Sequence, residues 1–411
     1  MGLILGILVF LIAKILLPKI LINTEKIGVA GKYTPEKLPE DILSLISSGL
    51  TYIDNNGEVN PSIAESWETT DGGKTWTFKI KKDLLWQDGQ VVDTNSINYQ
   101  FNDAKTEKPD PSTIIFKLDT PFSAFPTIVS KPIFKKGLLG TAAWKVKKIS
   151  LVGGYVNKLT LEDTEKNKKI FNFYPSEERL KLGYKLGEID RIKDITSTEP
   201  FENWKQTEIN KVINNNFFVA IFFNVENQNL SEKNYRQALA YSINKDDFKE
   251  NRAISSISPG SWAFNSQVKP YYKDLDRAKE LLSDAKDLKI VLSTASNLLN
   301  VAENIKKDWE EVGIQTEIQS VAGIPENYEA LLITVDIPAD PDQYVLWHST
   351  QTLTNISKFK NDRIDKLLED GRVQLIKEER KKSYLDFQRY LVEEVPAIFL
   401  YHPTFYTIIR K

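Results

Sequence analysis

The stretch Leu50–Phe101, LTYIDNNGEVNPSIAESWETTDGGKTWTFKIKKDLLWQDGQVVDTNSINYQF, carries the clearest structural pattern in the chain. Within it, residues 75–81 alternate strictly between polar and apolar side chains. Three large apolar side chains share one face of this segment: Trp76, Phe78 and Ile80. A repeat of two residues is typical of a β-strand with one buried face. The preceding Asp71-Gly72-Gly73 predicts a hairpin turn, because glycine accepts positive φ angles.

A second turn is predicted at Asp88-Gly89, and the residues after it have the polar start and spaced apolar side chains of a short helix. Asp93 or Thr94 would cap this helix, which is predicted to run through Phe101. Large aromatic side chains are mostly buried in folded proteins. We therefore expect four of them in the core of a first lobe: Trp67, Trp76, Phe78 and Trp86.

Length and composition bound the class of protein. A chain of 411 residues is too long for one compact core and suits two lobes. The net charge of -2, without a basic stripe carrying interleaved aromatic residues, argues against a nucleic-acid partner. Cysteine is absent, which excludes disulfides, zinc–thiolate sites and a cysteine nucleophile. A cysteine-free sequence fits an exported protein.

Residues 1–22, MGLILGILVFLIAKILLPKILI, are almost wholly apolar. At about 1.5 Å per residue such a helix can just span a bilayer core of about 30 Å. Three interpretations stay open: an uncleaved transmembrane anchor, a cleavable signal peptide and a buried core helix. We expect the uncleaved anchor, because no clear cleavage site follows the apolar run directly. The lysines at its C-terminal side oppose the positive-inside tendency for that orientation.

Downstream segments predict an α/β architecture. Phe217–Asn224 is a continuous apolar run with the length of a buried central strand. After it, amphipathic helices at 276–287 and 298–312 alternate with strands at 289–293 and 313–319. This alternation is the sign of an α/β lobe.

Motifs of common enzyme classes are missing from the sequence. There is no phosphate-binding glycine loop, no nucleophile elbow and no metal-binding histidine motif, and His348 and His402 are the only histidines. Four S-x-x-K matches, which begin at Ser242, Ser266, Ser283 and Ser357, lack the companion motifs that a serine hydrolase would need. We therefore predict no catalytic residues, no metal site and no cofactor.

An ordered set of motifs resembles the family 5 extracellular solute-binding proteins, the oligopeptide- and dipeptide-binding receptors of ABC importers. The set comprises Pro61-Ser62-Ile63-Ala64-Glu65-Ser66-Trp67, the strand that ends at Ile80, and Trp86-Gln87-Asp88-Gly89. Further downstream, Tyr235–Ile243 and Tyr328–Tyr344 are similar to other segments of the family. The resemblance implies a two-lobed α/β fold of the periplasmic-binding-protein type, class II, with a hinge between the lobes.

The same resemblance implies limits for each lobe. Residues 1–22 would form the transmembrane anchor or signal segment. Residues 23–224 would form the N-terminal part of lobe I, 225–394 lobe II, and 395–411 a return into lobe I. A monomer is expected.

In the family, a cleft strand pairs with the backbone of the bound peptide, and an aspartate receives its amino terminus. By resemblance, Leu331–Asp336 would be this strand. The candidate ligand-binding residues are Trp262, Ile333, Thr334, Asp336, Asp340 and Trp347. Alternatives stay open at three of them. Trp262 fits either solute stacking or lid packing. Asp336 lies in a segment that is one residue longer than the common family motif, which leaves its position at the amine site open. Asp340-Pro341 also fits a plain turn without a ligand.

The function implied is that of an extracytoplasmic receptor, anchored to the cell membrane by its N-terminal helix. It would capture peptides or a similar small solute in the cleft between the lobes and deliver them to an ABC permease. Two alternatives remain: a membrane-anchored interaction or sensing protein with the same fold and no transport role, and a hydrolase that uses the same cleft.

Overall fold

The computed structural model describes residues 23–54, 56–283 and 288–411. No helix within this part of the chain is long and apolar enough to cross a membrane. The anchor predicted for residues 1–22 lies outside the described residues.

The described residues form strands and helices throughout. The strands are β1 (Thr24–Ala30), β2 (Thr51–Ile53), β3 (Val59–Pro61), β4 (Ala64–Glu68), β5 (Thr75–Ile80), β6 (Ala104–Asp110), β7 (Thr113–Leu118), β8 (Lys145–Val152), β9 (Tyr155–Glu162), β10 (Lys168–Tyr174), β11 (Arg191–Ile195), β12 (Thr207–Ile213), β13 (Phe217–Phe223), β14 (Asn251–Arg252), β15 (Lys289–Thr294), β16 (Gln315–Ser320), β17 (Ala330–Asp336), β18 (Ala397–His402) and β19 (Thr404–Arg410). The α-helices are α1 (Glu40–Ile46), α2 (Phe125–Ile128), α3 (Glu177–Lys185), α4 (Lys233–Ser242), α5 (Leu275–Leu281), α6 (Leu299–Glu311), α7 (Tyr344–Trp347), α8 (Asp362–Val373) and α9 (Lys377–Glu394).

Three sheets and one short hairpin organise these elements. The first sheet has the strand order β12-β19-β11-β1-β10-β9-β8, and the second sheet has the order β14-β18-β13-β17-β15-β16. A small sheet, β4-β5-β7-β6, belongs with the first lobe, and β2 pairs with β3 alone. The two-lobed α/β architecture predicted from the sequence is therefore present.

The opening stretch builds the small sheet. In β5 the side chains of Trp76, Phe78 and Ile80 are all buried, while the intervening residues face outward, as the alternation predicts. The turn before β5 contains Gly72 and Gly73 with φ angles of 73° and 93°, a region that favours glycine. The predicted hairpin is confirmed.

The helix predicted to run to Phe101 is wrong. Only a single turn of 3₁₀-helix forms, Thr94–Ser96, although Asp93 caps it through the Ser96 amide at 2.8 Å. The chain then straightens, and the rings of Tyr99 and Phe101 stack on each other with centroids 5.5 Å apart. Burial of these rings against the apolar core of the small sheet outweighs the local helical signal.

The chain changes sheets at places that differ from the predicted lobe limits. The strand β13, expected at the end of lobe I, lies in the middle of the second sheet between β18 and β17. The strand β18, expected to return into lobe I, belongs to the second sheet as well. The crossings fall at residues 214–216 and at Pro403, between β12 and β13 and between β18 and β19. The limits at 224/225 and 394/395 therefore disagree with the strand pairing.

The two crossings lie side by side and form the hinge. The Asn214 amide donates to the Pro403 carbonyl at 3.0 Å, and a ring nitrogen of His402 lies 2.8 Å from the Phe217 carbonyl oxygen. Burial lowers the pKa of His402. A neutral imidazole then donates its Nδ1 proton to this carbonyl, which ties β18 to β13 at the edge of the hinge.

The buried guanidinium of Arg236 on α4 stabilises the second lobe. Arg236 is 3% exposed and donates to the carbonyls of Leu230, Ser231, Glu394 and Val395 at 2.7–3.2 Å. Glu394 ends α9, and Val395 follows with a left-handed φ of 49°. The guanidinium thus satisfies carbonyls that the end of a helix leaves without partners and holds the chain where it enters β18.

Replacing Arg236 by Met should lower the free energy of unfolding by about 3 kcal/mol, because buried carbonyls would lose their donors. Urea denaturation followed by tryptophan fluorescence measures the change. Arg389→Met on the same helix as Glu394 serves as control, since Arg389 is exposed and pairs only at the surface. Equal stability of the two variants would contradict this role for Arg236.

Candidate functional site

A cleft of about 1120 Å³ lies between the two lobes, with hinge residues 213–216 lining it where the lobes join. Residues of the first lobe that line it include Glu40, Phe101, Asp103, Asp119, Phe122 and Lys131. Residues of the second lobe that line it include Ser258, Gly260, Asp336, Ile337, Pro338, Ala339, Asp340, Asp342 and Arg372. A concave site of this size between two domains is the usual location for a small-molecule ligand.

Asp336 occupies the position where β17 ends at the cleft. Its side chain is exposed there, and the next residue, Ile337, donates its amide to the Asn216 carbonyl at 2.7 Å. This bond fixes the start of the lining loop against the hinge. No described residue forms an ion pair or hydrogen bond with the Asp336 carboxylate.

The electrostatic setting of Asp336 raises its pKa. Partial burial between the cleft walls is the main cause, the negative charge of Glu40 adds to it, and the positive charge of Lys131 opposes it. Glu40 and Lys131 both belong to the first lobe, so Asp336 senses charges on the opposite wall of the cleft. A carboxylate in this setting is stabilised by a cation placed beside it.

The cleft as a whole is acidic. Among the described residues, seven carboxylates and two cationic side chains line it. Three of the carboxylates already have partners within the protein. Asp54 accepts hydrogen bonds in a turn, Asp340 pairs with Arg380, and Asp342 pairs with Arg372. Four have no ion-pair partner in the described part of the chain: Glu40, Asp103, Asp119 and Asp336. The electrostatic field of such walls favours solutes that carry positive charge.

Asp340 also lines the cleft, but its charge is already matched. Its two oxygens accept from the Arg380 guanidinium at 2.6 and 3.2 Å, in the bidentate geometry typical of strong pairs. Both side chains are largely buried, at 13% and 9% exposure. The same carboxylate accepts the Asp342 amide at 2.9 Å. Asp340 therefore shapes the loop after Asp336.

Trp262 lies behind the cleft wall. Its ring packs edge-on against Tyr384 with centroids 6.2 Å apart, and the Arg380 guanidinium lies 5.4 Å from the indole. Its neighbours Ser258, Gly260 and Ser261 line the cleft, while Trp262 is not among the lining residues. Of the two open interpretations, this geometry favours packing behind the wall.

The other predicted site residues stand away from the cleft surface. Ile333 and Thr334 lie within β17 opposite Ala220 and Val219 of β13, and neither lines the cleft. Trp347 is 1% exposed and stacks on Phe222 at 5.6 Å in the core of the second lobe. The structure thus brings Asp336 and Asp340 to one wall, with Trp262 behind them.

The expected free strand edge is only partly present. Residues 330–332 of β17 pair with β13 on one side and β15 on the other, so their ladder positions are filled. Residues 333–336 pair with β13 alone among the described strands.

Several lining residues carry no recognisable signal in the sequence. Glu40 begins the amphipathic helix α1, and Lys131 follows a proline-broken segment, so nothing local distinguishes them from surface charges. The triplet Asn214-Asn215-Asn216 between two strands is a feature that could have located the hinge.

Comparison with known proteins identifies the family. The profile of the bacterial extracellular solute-binding proteins, family 5 Middle, matches residues 58–106 and 92–347, more than half of the chain. The chain belongs to this family. Its members are binding receptors and not enzymes, which confirms the prediction that the cleft binds a solute rather than transforming it.

Similar proteins span nearly the whole chain. The dipeptide-binding protein of Escherichia coli K12 is 23% identical over 86% of this chain and 83% of its own length. Two solved structures share the fold: NikZ from Campylobacter jejuni in complex with Ni(L-His), and DppA from Helicobacter pylori in complex with the peptide STSA. The first has a TM-score of 0.78 and 22% identity over 95% of both chains. The second has a TM-score of 0.74 and 19% identity over 94% of both chains.

Asp340→Asn should lower the free energy of unfolding by about 2 kcal/mol, because the buried guanidinium of Arg380 would lose its counter-charge. Thermal denaturation at neutral pH measures the loss. Asp103→Asn is the matched control, since it removes a cleft carboxylate that has no ion-pair partner among the described residues. If both substitutions leave the melting temperature unchanged, the structural role of Asp340 is wrong.

Proposed function

We propose that this protein is an extracytoplasmic receptor that captures short peptides with a free amino terminus and delivers them to the permease of an ABC importer. The observation that carries the proposal is the Asp336 carboxylate. It lies at the cleft end of β17 with no ion-pair partner in the described part of the chain. An ammonium group placed beside it would form a charge-assisted hydrogen bond.

The surroundings of Asp336 suit one end of an extended peptide. Residues 333–336 pair with only one neighbouring strand among those described, and Asp336 is the one of them that lines the cleft, so a peptide would meet the open side of the strand at Asp336. The loop 337–339 lines the cleft directly after the carboxylate. The four unpaired carboxylates would further favour a positively charged solute over a negatively charged one.

Some of the related proteins are named for small solutes with an amino group. One relative is described as a dipeptide-binding protein, and two structural neighbours hold the peptide STSA and a nickel–histidine complex. Among the described residues, no cluster of three side chains suited to hold a metal ion occurs. The carboxylate of Asp336 supports a peptide as the proposed solute, and the nickel–histidine complex serves as a competitor in the tests.

Binding would stabilise the arrangement of the lobes about the hinge at residues 214–216 and Pro403. A solute that touches Asp336 on one wall and first-lobe residues on the other stabilises the closed arrangement by its contacts to both. On the strand pairing, we propose that lobe I comprises residues 23–213 and 404–411 and that lobe II comprises residues 217–402. We further propose that the receptor acts as a monomer.

Asp336→Asn should weaken binding of a short peptide with a free amino terminus by at least about tenfold, since a charge-assisted hydrogen bond contributes roughly 1.5–3 kcal/mol. The same peptide with an acetylated terminus should lose little affinity. Isothermal titration calorimetry of a peptide library measures both. Glu303→Gln, which removes an exposed carboxylate outside the cleft, is the control, and equal losses for free and acetylated peptides would remove the proposed amine contact.

The pH dependence has a definite sign. Because the pKa of Asp336 is raised, the carboxylate gains a proton at a higher pH than the ordinary aspartate value of about 3.9. Affinity for a free-amine peptide should therefore be full at neutral pH and fall as the pH drops towards this raised pKa. The loss should be absent in Asp336→Asn. A wild-type affinity that stays constant until the ordinary aspartate range is reached would contradict the raised pKa.

We also propose that residues 1–22 anchor the receptor in the cell membrane with the folded lobes outside. Their apolar composition supports this. The folded part of the chain begins directly after them, where the Asn23 carbonyl accepts a hydrogen bond from the Lys168 amide at 2.7 Å, next to β1.

The full-length chain should remain in the membrane pellet after a high-salt wash, and a chain starting at Asn23 should be released. Size-exclusion chromatography with light scattering of the released chain tests the monomer. Release of the intact full-length protein by salt would exclude the anchor. Peptide binding without uptake through any permease would favour a sensing role instead.

A further inference from the structure

The two lobes meet a second time, away from the hinge, at the end of the cleft lined by Phe122 and Arg372. The Ser123 amide and hydroxyl both donate to the Arg372 carbonyl at 2.8 Å. Ser123 belongs to the first lobe, and Arg372 lies in the last turn of α8 in the second. The serine therefore supplies donors to one of the carbonyls that the end of a helix leaves unsatisfied.

The side chain of Arg372 forms the centre of a stack that crosses between the lobes. Its guanidinium carbon lies 4.7 Å from the centre of the Phe122 ring and 4.4 Å from the centre of the Tyr344 ring. The Tyr344 ring in turn stacks on His348 with centroids 4.0 Å apart and an interplanar angle of 19°. A planar cation between two aromatic rings is a favourable arrangement that a lysine cannot reproduce.

Both sides of this contact are held in place by their own lobes. On the second lobe, the Arg372 guanidinium lies 3.5 Å from the Asp342 carboxylate, which is 8% exposed. On the first lobe, the Trp76 indole nitrogen donates to the Phe122 carbonyl at 3.2 Å and to the Gly73 carbonyl at 3.1 Å. The core of the small sheet thus fixes the backbone of Phe122 before it meets Arg372.

The contact bounds the cleft on one side. Phe122, Asp342, Val345 and Arg372 all line the cleft, so the stack closes the space between the two walls there. Outside the stack, Glu58 of the first lobe forms an ion pair with Lys377 at the start of α9. Asp336 stands at the other end of the same loop, four residues before Asp340 and six before Asp342.

We propose that the stack of Phe122, Arg372 and Tyr344 is a latch that holds the two lobes together at this end of the cleft, so that a solute cannot extend past it. The latch needs no solute in order to form. The second part of the proposal, a limit on solute length, rests on the proposed function.

The absence of cysteine allows a direct test on the full-length protein in mild detergent. Spin labels at Lys82→Cys and Lys307→Cys report the distance between the lobes, because both residues are exposed and neither contributes to the cleft or the latch. Two variants weaken the latch from opposite sides. Phe122→Leu keeps an apolar side chain but removes the ring, and Arg372→Lys keeps the charge but removes the planar group.

In the absence of peptide, the protein with an intact latch should show one narrow distance distribution. Phe122→Leu and Arg372→Lys should each shift the balance towards longer distances by about 5-fold, the scale of one cation–aromatic contact. Tyr344→Phe keeps the ring and should leave the distribution unchanged. Arg363→Lys is the matched control on the same helix, because Arg363 stacks on Tyr390 within the second lobe, at 3.6 Å.

Unchanged distances in both Phe122→Leu and Arg372→Lys would overturn the latch, and so would an equal shift in Arg363→Lys. This measurement uses no solute, so its outcome is independent of whether peptides bind. The length limit is tested separately with a series of peptides that share one free amino-terminal residue. Phe122→Leu should raise the affinity of longer members relative to shorter ones, and an unchanged ratio would overturn the limit.

Discussion

A two-stranded antiparallel ribbon is the constraint on which the rest of the structure depends. Residues 207–223 and 397–410 run side by side through both sheets, pairing as β12 with β19 in the first and as β13 with β18 in the second. The ladder is interrupted where the chain passes Pro403, which has no amide proton to donate. Only one backbone bond, from the Asn214 amide to the Pro403 carbonyl, bridges the gap. The two strands are therefore joined by fewer backbone bonds at the crossing than within either sheet.

Local patterns in the sequence were sufficient for some individual elements and not for the helix predicted to run to Phe101. The alternation around Trp76 and the apolar run at Phe217–Asn224 each predicted a strand that the structure contains. The pattern could not predict the sheet to which β13 belongs, because a continuous apolar run looks the same in either lobe. The crossing is marked instead by Asn214–Asn216 and Pro403, four polar or imino residues without hydrophobic periodicity.

The residues of the candidate site also divide into those that the sequence could indicate and those that it could not. Asp336 was predicted because the resemblance to the family places it at the end of a cleft strand, and the structure has it as the last residue of β17. Asp340 looked equivalent in the sequence, but Arg380, forty residues away, satisfies it. Trp347 and Trp262 could not be distinguished from solute-stacking residues, since core packing and ligand stacking select the same aromatic side chains. Glu40 and Lys131 were missed because they act on Asp336 only once the fold brings the two walls of the cleft together.

The hinge, the charge of the cleft and the latch all affect the separation of the two lobes. Unpaired carboxylates on facing walls repel each other, and the raised pKa of Asp336 reflects part of that cost through Glu40. Repulsion across a cleft tends to separate its walls unless a cation enters or other contacts oppose it. The Arg372 stack opposes it at one end, where the local carboxylate Asp342 is already neutralised. At the Asp336 end the carboxylate has no ion-pair partner among the described residues, and the charge of Lys131 offsets only part of the repulsion. A cationic solute beside Asp336 would therefore stabilise the closed arrangement at the end of the cleft where contacts within the protein stabilise it least.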